Sequence, residues 1–511
     1  MSIIGYDTFA AARERFKWDQ RWSLFDGNRE YFNLSRECLD RHVAAGRGGE
    51  VGLRIVRPDG SCDVCTFAAL DDLAQRLGNV LLERGVERGD RVAVRLEPTR
   101  EFVAAMFGAL KIGAIFVPCT PLLGAEAAAA RIADAAPKVT LLETAHDLGD
   151  YQPPGTVLDR PALAAALAGA QAGLETVRTR AEEPAIYIYS SGTTGRPKRT
   201  ALQHQGFTYL TVIVGEFVLG LTAADRYIAC YTPGYLGGFG WGILVPMALG
   251  TAGGIYAGKF DARALLAALS AQKCTALHCP PTAYRQLVRA RPGHALSLTK
   301  LAYTAEAMDA TLAGLIHDAF GTYARGHYGA TEVGMIAVDY AYPDYAVRPG
   351  TIGKPLLDTD IAIVDENLQR LPAGEIGKVA LVRHGKVLLA GDFGTFDPDG
   401  YLWYRGRAND VIVSGGHTIS AVEIEDALIR HPAVDQVAVV ATPDPERGTV
   451  PKAFVRLAAS AAGAASPAAL TVELQDVVRK TLGRYAYPRE VVFIDEFQRN
   501  EAGKIVKSVL K

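Results

Sequence analysis

The residues best suited to bind an anionic substrate stand together in the segment SSGTTGRPKR at 190–199, which combines hydroxyl groups, glycines and three cations. Such a segment can direct backbone N–H groups, hydroxyls and an ammonium toward one cluster of phosphate oxygens. Its GxxGxxK spacing differs from that of the Walker loop. From composition alone, a flexible surface loop is an alternative interpretation of this segment. The candidate phosphate-binding residues are Ser190, Ser191, Gly192, Thr193, Thr194, Gly195, Lys198 and Arg199.

Three further segments carry isolated polar residues among small ones. YGATE at 328–332 offers a tyrosine that can lie beside an aromatic base, followed by a hydroxyl and a carboxylate. In the stretch 391–425, Asp392 and Arg407 each follow a glycine, and AGKI at 502–505 presents one lysine on a glycine turn. Taken singly, each of these residues is more simply explained as a surface group or a helix cap.

The elements that must position these residues alternate between helix and strand. Residues 66–82 place leucines on one helical face with Thr66 as a cap, and 90–97 alternate as a strand does. A helix near 99–113 and an apolar strand at 139–142 continue the pattern. Such alternation predicts parallel sheets flanked by helices, with ligands at the carboxyl ends of the strands.

The pattern changes near residue 405. Ser420 and Glu423 have the spacing of a capping box that opens a helix running to about Arg430. Strands at 434–441, 452–457 and 490–494 and a helix at 470–482 complete a small α+β domain.

Composition excludes several classes of protein. The 511 residues predict two or three domains, and 49% hydrophobic with 22% charged residues is typical of a globular enzyme. A net charge of −2 argues against a nucleic-acid partner. The N-terminus lacks the apolar core of a signal peptide, and the apolar region 242–257 is too short to span a membrane. We therefore expect a cytoplasmic protein that binds neither membrane nor nucleic acid.

The seven cysteines give no sign of a metal site. Only Cys62 and Cys65 have CxxC spacing, and neither a second pair nor a histidine partner completes a zinc site. We expect all seven to be buried or half-buried structural thiols.

Taken in order along the chain, these four segments resemble the adenylate-forming superfamily of acyl-CoA synthetases, luciferases and peptide-synthetase adenylation domains. FNLSRECLDRH at 32–42 is also similar to the N-terminal helix of these enzymes. The resemblance implies an α/β fold: a large N-terminal domain of parallel and mixed sheets with flanking helices, followed by a small mobile α+β domain. It also implies a reaction in two steps, in which a carboxylate and ATP form an acyl-adenylate and a thiol then displaces AMP.

The resemblance carries roles over to individual residues. Lys504 matches the lysine that bridges carboxylate and α-phosphate during adenylation, where an ammonium offsets anion repulsion. Asp392 matches the carboxylate that binds the ribose hydroxyls, and Thr194 and Glu332 match the ligands of Mg²⁺. The nucleotide-binding positions are Ala305, Glu306, Ala307, Tyr328, Gly329, Ala330, Thr331, Asp392 and Arg407.

The same resemblance predicts a domain rotation between the two steps. Asn409 occupies the hinge, which divides the chain into domains at 1–405 and 410–511 joined by 406–409. Gly415 and Gly416 match the glycines that let the pantetheine arm of CoA pass close to the backbone. No fused carrier domain is expected, because the chain ends soon after Lys504.

Several positions depart from the pattern of the superfamily. Arg199 replaces a glycine, Ala305 replaces a glycine near the adenine, and Ala390 replaces a threonine. If Arg199 needed a positive φ, it would carry strain of about 1–2 kcal/mol. These changes suggest a weakened or lost adenylation half, with the acyl-adenylate supplied by a separate enzyme. The alternative is an ordinary two-step ligase, in which Arg199 adds a phosphate contact.

The acid and its acceptor stay open at this stage. The candidate acyl-pocket residues are Tyr231, Tyr235, Leu236, Gly237 and Gly238, with Leu236 at the position of a usual histidine or aromatic residue. Small glycines without a cation favour an aromatic or polycyclic acid. CoA or a carrier protein is the thiol partner, and a non-catalytic nucleotide-binding protein is the alternative from another class. The resemblance suggests a monomer or homodimer.

Overall fold

The computed structural model describes most of the chain, and its described residues fall into two compact units. One comprises those of Met1–Glu306, Gly314–Gly326 and Asp339–Val347, and the other those of Ala307–Ala313, His327–Val338 and Arg348–Lys511. The described residues are 4–191, 197–290, 295–304, 306–330, 333–407, 411–414, 417–445, 447–458, 466–482, 486–499 and 505–510.

Each of the α-helices buries at least one apolar residue. In chain order they are α1 (Phe9–Arg15), α2 (Phe67–Glu83), α3 (Arg100–Lys111), α4 (Ala125–Ala135), α5 (Arg160–Gly169), α6 (Gly206–Leu210), α7 (Val245–Ala248), α8 (Ala262–Ala271), α9 (Pro281–Ala290), α10 (Ala310–Phe320), α11 (Ala421–Leu428) and α12 (Pro467–Leu482). Shorter or wider helical turns occupy Trp18–Leu24, Arg36–Asp40, Val43–Arg47, Thr211–Val218, Gly237–Leu244 and Lys507–Val509.

The strands are numbered in the same way. The first twelve are β1 (Val51–Val56), β2 (Cys62–Thr66), β3 (Arg91–Arg95), β4 (Ile115–Pro118), β5 (Val139–Leu142), β6 (Thr156–Leu158), β7 (Pro184–Ser191), β8 (Pro197–Gln203), β9 (Tyr227–Ala229), β10 (Gly253–Tyr256), β11 (Ala276–His278) and β12 (Lys300–Tyr303). The others are β13 (Ala324–Ala330), β14 (Gly334–Val338), β15 (Lys354–Pro355), β16 (Asp360–Val364), β17 (Gly377–Arg383), β18 (Lys386–Phe396), β19 (Leu402–Arg407), β20 (Val411–Ser414), β21 (His417–Ser420), β22 (Val434–Asp444), β23 (Gly448–Leu457) and β24 (Glu490–Phe493).

The first unit is built on two mostly parallel sheets. In one, the strand order is β6-β5-β3-β4-β7-β8, and only the β7–β8 pair is antiparallel. In the other, β12, β11, β9, β10 and β1 are parallel neighbours, and β2 closes the edge antiparallel to β1. Helices α2 and α3 fill the core, where Leu77, Phe107 and Phe116 are inaccessible to solvent.

The second unit is built mostly on antiparallel pairs, and β23 and β24 are parallel. Strands β16 to β19 form a four-stranded meander, and β13 pairs with β14 through residues 327–338. A five-stranded sheet of β20–β24 packs against α11 and α12, with Ile424, Leu428 and Leu474 in its core.

The structure confirms the expected α/β fold class with a larger N-terminal and a smaller C-terminal domain. The side-chain oxygen of Thr66 accepts a hydrogen bond from the Ala69 amide at 3.2 Å, which caps α2 as predicted. In the same way, Ser420 accepts from the Glu423 amide at 3.3 Å and opens α11. The domain boundaries at 405 and 410 and the mobility of the small domain stay predictions.

All seven cysteines carry free thiols, as expected. Five are buried, whereas Cys62 and Cys230 are half-buried. Burial raises the pKa of Cys274 to about 12 and raises that of Cys279, so these thiols stay protonated near neutral pH.

Within the part of the chain that the structure describes, no helix is long and apolar enough to cross a membrane.

Candidate functional site

The predicted phosphate loop is carried between two paired strands. Tyr189 at the end of β7 faces Arg199 on β8, and Ser190 pairs with Lys198 in the same register. β7 is parallel to its other neighbour, β4, so the loop follows the carboxyl end of a parallel strand, where ligands are expected. Residues 192–196 lie outside the described residues, and Lys198 is exposed.

Arg199 does not carry the strain that its replacement of glycine suggested. It lies within β8, and the described non-glycine residues with positive φ are Ala136, Lys273, Asp358, Leu368 and His384. Its guanidinium lies 3.5 Å from a carboxylate oxygen of Asp134 and 4.9 Å from the ring centre of Tyr187. The strain hypothesis is therefore wrong, because an extended strand accepts any side chain here.

The candidate acyl segment begins with Tyr231, which packs against a buried histidine. The rings of Tyr231 and His278 meet edge to face with centroids 5.0 Å apart, and the ring of Trp241 stacks with that of His278 at 6.4 Å. The hydroxyl of Tyr227 lies 3.3 Å from Nδ1 of His278. Burial raises the pKa of Tyr231 well above its ordinary value, so its hydroxyl is protonated at neutral pH.

The Tyr231 hydroxyl also reaches the next predicted segment. It accepts a hydrogen bond from the backbone N–H of Thr304 at 3.2 Å. Thr304 directly precedes Ala305, the predicted adenine neighbour, which lies outside the described residues. The acyl segment and the start of a nucleotide segment are thereby joined within the first unit.

The glycines of the acyl segment serve packing as well as space. A Cβ on Gly238 would lie 2.2 Å from the carbonyl of Thr232, so only glycine fits there. A Cβ on Gly237 would lie 3.2 Å from the ring of Tyr231. Leu236 packs against the core of the first unit, and Tyr235 is half-buried. The absence of a side chain at Gly238 is thus explained by the backbone and is not evidence for a bulky acid.

Glu306 is held by the start of a helix. Its carboxylate accepts from both the backbone N–H and the hydroxyl of Thr282 at 3.3 Å, in the first turn of α9. Unpaired N–H groups at a helix start favour a carboxylate. Ala307, the next predicted nucleotide residue, is exposed.

In the second unit, two residues predicted for the nucleotide meet. The hydroxyl of Tyr328 donates a hydrogen bond to a carboxylate oxygen of Asp392 at 2.5 Å, although the residues are 64 positions apart. Asp392 is 8% exposed. In the backbone register of β18 and β19, it stands opposite Arg407. The ring of Tyr404 lies 6.0 Å from that of Tyr328.

Local backbone geometry fixes this pair. Gly329 follows Tyr328 at a register shift between β13 and β14, and a Cβ on it would lie 2.4 Å from the carbonyl of Gly334. Gly391, just before Asp392, has a φ of 81°, which favours glycine. Ala390, which replaces the usual threonine, lies in the apolar core of this unit, and Ala330 packs beside it.

The remaining predicted site residues lie outside the described residues: Gly192, Thr193, Thr194, Gly195, Ala305, Thr331, Glu332, Asn409, Gly415, Gly416 and Lys504. The side chains of Ser190, Ser191 and Arg407 are not described either. The predicted Mg²⁺ ligands, Thr194 and Glu332, belong to this group. Elsewhere in the described ranges, no three His, Cys, Asp or Glu residues stand close enough together to hold a metal ion.

Three residues near these segments were not predicted from the sequence. His278 ends β11 in the run ALHCP, and a lone polar residue at the carboxyl end of an apolar strand is the signal that would have found it. Asp134 and Thr282 act by contact with Arg199 and Glu306. Nothing in their local sequence distinguishes them from surface residues.

Comparison with family models gives matches over most of the chain. The model of AMP-binding enzymes matches residues 51–388, and that of the AMP-binding enzyme C-terminal domain matches residues 423–504.

Similar proteins span nearly the same length. The human mitochondrial acyl-coenzyme A synthetase ACSM4 is 30% identical, covering 94% of this chain and 90% of its own. The acetyl-coenzyme A synthetase of Bacillus subtilis is 28% identical with the same coverage.

Solved structures agree with these relatives. The structure of the anthranilate CoA ligase AuaEII in complex with anthranoyl-AMP has a TM-score of 0.81 and 27% identity, covering 94% of this chain and 96% of its own. The acyl-CoA synthetase of Brucella canis has a TM-score of 0.75 and 28% identity, covering 99% and 98%.

Proposed function

This chain belongs to the AMP-binding enzyme family, in its acyl-CoA ligase branch, and we propose that it joins a carboxylic acid to CoA through an acyl-adenylate. The observation that carries the proposal is the hydrogen bond between Tyr328 and Asp392. It unites the two segments expected to bind adenine and ribose. A nucleotide site built from segments so distant in sequence requires the fold to bring them into contact.

The proposed chemistry has two balanced steps. A carboxylate oxygen of the acid attacks the α-phosphorus of ATP, and the bond to the bridging oxygen breaks, releasing pyrophosphate. The sulfur of CoA then attacks the acyl carbon, and AMP leaves as the thioester forms. We propose that Lys504 offsets the repulsion between the reacting anions in the first step. Mg²⁺, held by Thr194 and Glu332, would screen the phosphates of ATP.

We propose the complete two-step reaction rather than thioesterification alone. The case for a weakened adenylation half rested partly on strain at Arg199, and that residue lies in an unstrained strand. Ala305, another of these departures, lies outside the described residues. Ala390 fills a position in the apolar core of the second unit.

For the acid we propose a compact aromatic carboxylate. The supporting observation is the cluster of aromatic rings around His278, to which Tyr231 and Trp241 contribute. Aromatic rings pair with one another edge to face or offset, so such a cluster suits a flat substrate. The relative AuaEII, whose structure contains anthranoyl-AMP, supports the same class.

One assay separates the two forms of this function. Pyrophosphate release is measured with ATP, Mg²⁺ and a panel of benzoate-type and short aliphatic acids, and thioester formation is then measured from CoA and a synthetic acyl-adenylate. We expect both activities, with aromatic acids preferred. Thioester formation without ATP-dependent pyrophosphate release would show that a separate enzyme supplies the adenylate. Tight AMP binding with neither activity would indicate a non-catalytic homologue.

The thiol partner is tested in the same experiment. We expect CoA to accept the acyl group at least as well as a phosphopantetheinyl carrier protein, and a strong preference for the carrier would contradict the CoA assignment.

A further inference from the structure

Arg199 stands where the resemblance leads us to expect glycine, and the structure gives it specific partners. We propose that Arg199, with Asp134 and Tyr189, is a positioning residue for ATP: the three hold β7 and β8, the two strands that flank residues 192–196, against the end of α4. This inference rests on the proposed function, because it assigns the loop to ATP.

The first step is the orientation of the two arms. Tyr189 and Arg199 are register partners across the antiparallel pair. Directly opposed residues in such a pair share one face of the sheet. On this face Tyr187 and Tyr189 pack against the apolar cluster that includes Ala128 and Ile132 of α4. Arg199 therefore faces α4.

The second step is the convergence of both arms on one residue. The hydroxyl of Tyr189 donates a hydrogen bond to a carboxylate oxygen of Asp134 at 2.7 Å. The guanidinium of Arg199 donates to the Asp134 carbonyl at 3.3 Å and lies 3.5 Å from the same carboxylate oxygen. One residue of α4 thus joins the strand that enters the loop to the strand that leaves it.

The protonation state of Tyr189 suits this arrangement. Burial and the Asp134 carboxylate raise the pKa of Tyr189 above its ordinary value. The phenol is therefore a donor throughout the neutral range.

The end of α4 is a suitable support. Carbonyls in the last turn of a helix have no partner within the helix, and a cation there is favourable because of the helix dipole. Arg199 donates a hydrogen bond to one of these carbonyls, that of Asp134. Arg91 donates hydrogen bonds to the next two carbonyls, those of Ala135 and Ala136, at 2.9 and 2.6 Å.

The contacts of Arg199 are better placed to orient the hairpin than to stabilise the fold. Its side chain is 43% exposed and that of Asp134 is 48% exposed, and ion pairs in such surroundings contribute little to stability. Adjacent side chains on a strand point to opposite faces. Because Arg199 faces α4, Lys198 points to the opposite face of the hairpin. There Lys198 can bind phosphate without being drawn to the carbonyls of α4.

The test uses the full chain and steady-state kinetics with ATP, acid and CoA varied in turn. We expect Arg199→Ala and Asp134→Asn each to raise the KM for ATP about three- to tenfold, with the KM for acid and for CoA within about twofold of the wild type. Arg199→Lys should recover part of the loss, since it keeps the charge. The double variant Arg199→Ala/Asp134→Asn should lose less than the sum of the two single losses, because both single variants remove the ion pair between Arg199 and Asp134.

The matched control is Arg370→Ala, which breaks an exposed ion pair with Asp360 in the second unit. It should leave the KM for ATP unchanged. An unchanged KM for ATP in the single variants, additive losses in the double variant or a gain in ATP use on Arg199→Gly would each overturn the proposal. An equal rise for Arg370→Ala would do the same.

Failure of the proposed function gives a different result. ATP binding to the wild type is measured separately by calorimetry. A wild type that does not bind ATP contradicts the function proposed for the chain and with it the role of Arg199. A wild type that binds ATP as tightly as its variants contradicts the role of Arg199 alone.

Discussion

The hydrogen bond from Tyr328 to Asp392 has a direct energetic meaning for nucleotide binding. The proposed ribose site requires the carboxylate of Asp392, which is 8% exposed, to be held in one orientation. The Tyr328 hydroxyl holds it by a hydrogen bond at 2.5 Å. Hydrogen bonds to charged groups contribute about 1.5–3 kcal/mol.

Tyr328→Phe tests this at the scale of one atom. We expect the KM for ATP to rise about tenfold, because Asp392 loses the donor that orients it. Tyr404→Phe is the control, since it removes a hydroxyl from a neighbouring ring and keeps the hydrogen bond from Tyr328 to Asp392. Equal KM values for ATP in wild type and Tyr328→Phe would contradict the proposed ribose site.

At this scale the sequence predicts identities better than contacts. Tyr328 and Asp392 could be assigned to one site from the family pattern, and they do meet. The partner of Arg199 could not be predicted, because Asp134 lies 65 positions away on a helix whose rotation only the packed structure defines. Contacts between residues so far apart in the chain are determined by the packing of the whole fold, so the local spacing of residues does not predict them.

Among the elements, the helical segment Gly237–Leu244 shows how backbone packing constrains the acyl segment. Gly238 lies against the carbonyl of Thr232, with no room for a Cβ. The aromatic residues on either side, Tyr231 and Trp241, both contact His278. The positions of Tyr231 and Trp241 therefore depend on the absence of a Cβ at Gly238.

Gly238→Ala should expose this dependence. The added methyl forces the Thr232 backbone to move, and overpacking of this kind costs about 1–3 kcal/mol. We expect a lower melting temperature and a raised KM for the acid. Gly314→Ala in α10 is the matched control, because its Cβ meets open space and a helical alanine is favourable.

A melting temperature of Gly238→Ala equal to that of the wild type would show that the segment relaxes without strain.

Elements were easier to predict than their ends. The apolar run at 139–142 predicts a strand, and these residues form β5, because a short apolar run has few alternatives. The helix expected to start near 470 begins instead at Pro467, since proline suits the first turn of a helix.

For the molecule as a whole, one carboxyl group links stability to pH. Asp426 on α11 is half-buried, and burial together with the neighbouring carboxylates of Asp309 and Glu425 raises its pKa from 3.8 to about 7. The folded protein keeps a proton that the unfolded chain releases at lower pH. This group therefore favours folding below the unfolded pKa, and that contribution is lost as pH rises through about 7.

Asp426→Asn removes this dependence. We expect the variant to be more stable than the wild type at pH 8 by up to about 4 kcal/mol, with the difference shrinking as pH falls toward 4. Thermal unfolding at several pH values measures it. Asp318→Asn, which changes a highly exposed carboxylate, is the control. A constant difference across the pH range would contradict the raised pKa of Asp426.

The buried cysteines have a practical consequence for measuring the reaction. Five of the seven thiols are shielded from solvent, and burial raises the pKa of Cys274 to about 12. A chromogenic reagent that reacts with thiolates will therefore modify the folded protein slowly, mainly at Cys62 and Cys230. Free CoA is an exposed thiol, so its disappearance can be followed by colour in the presence of the enzyme.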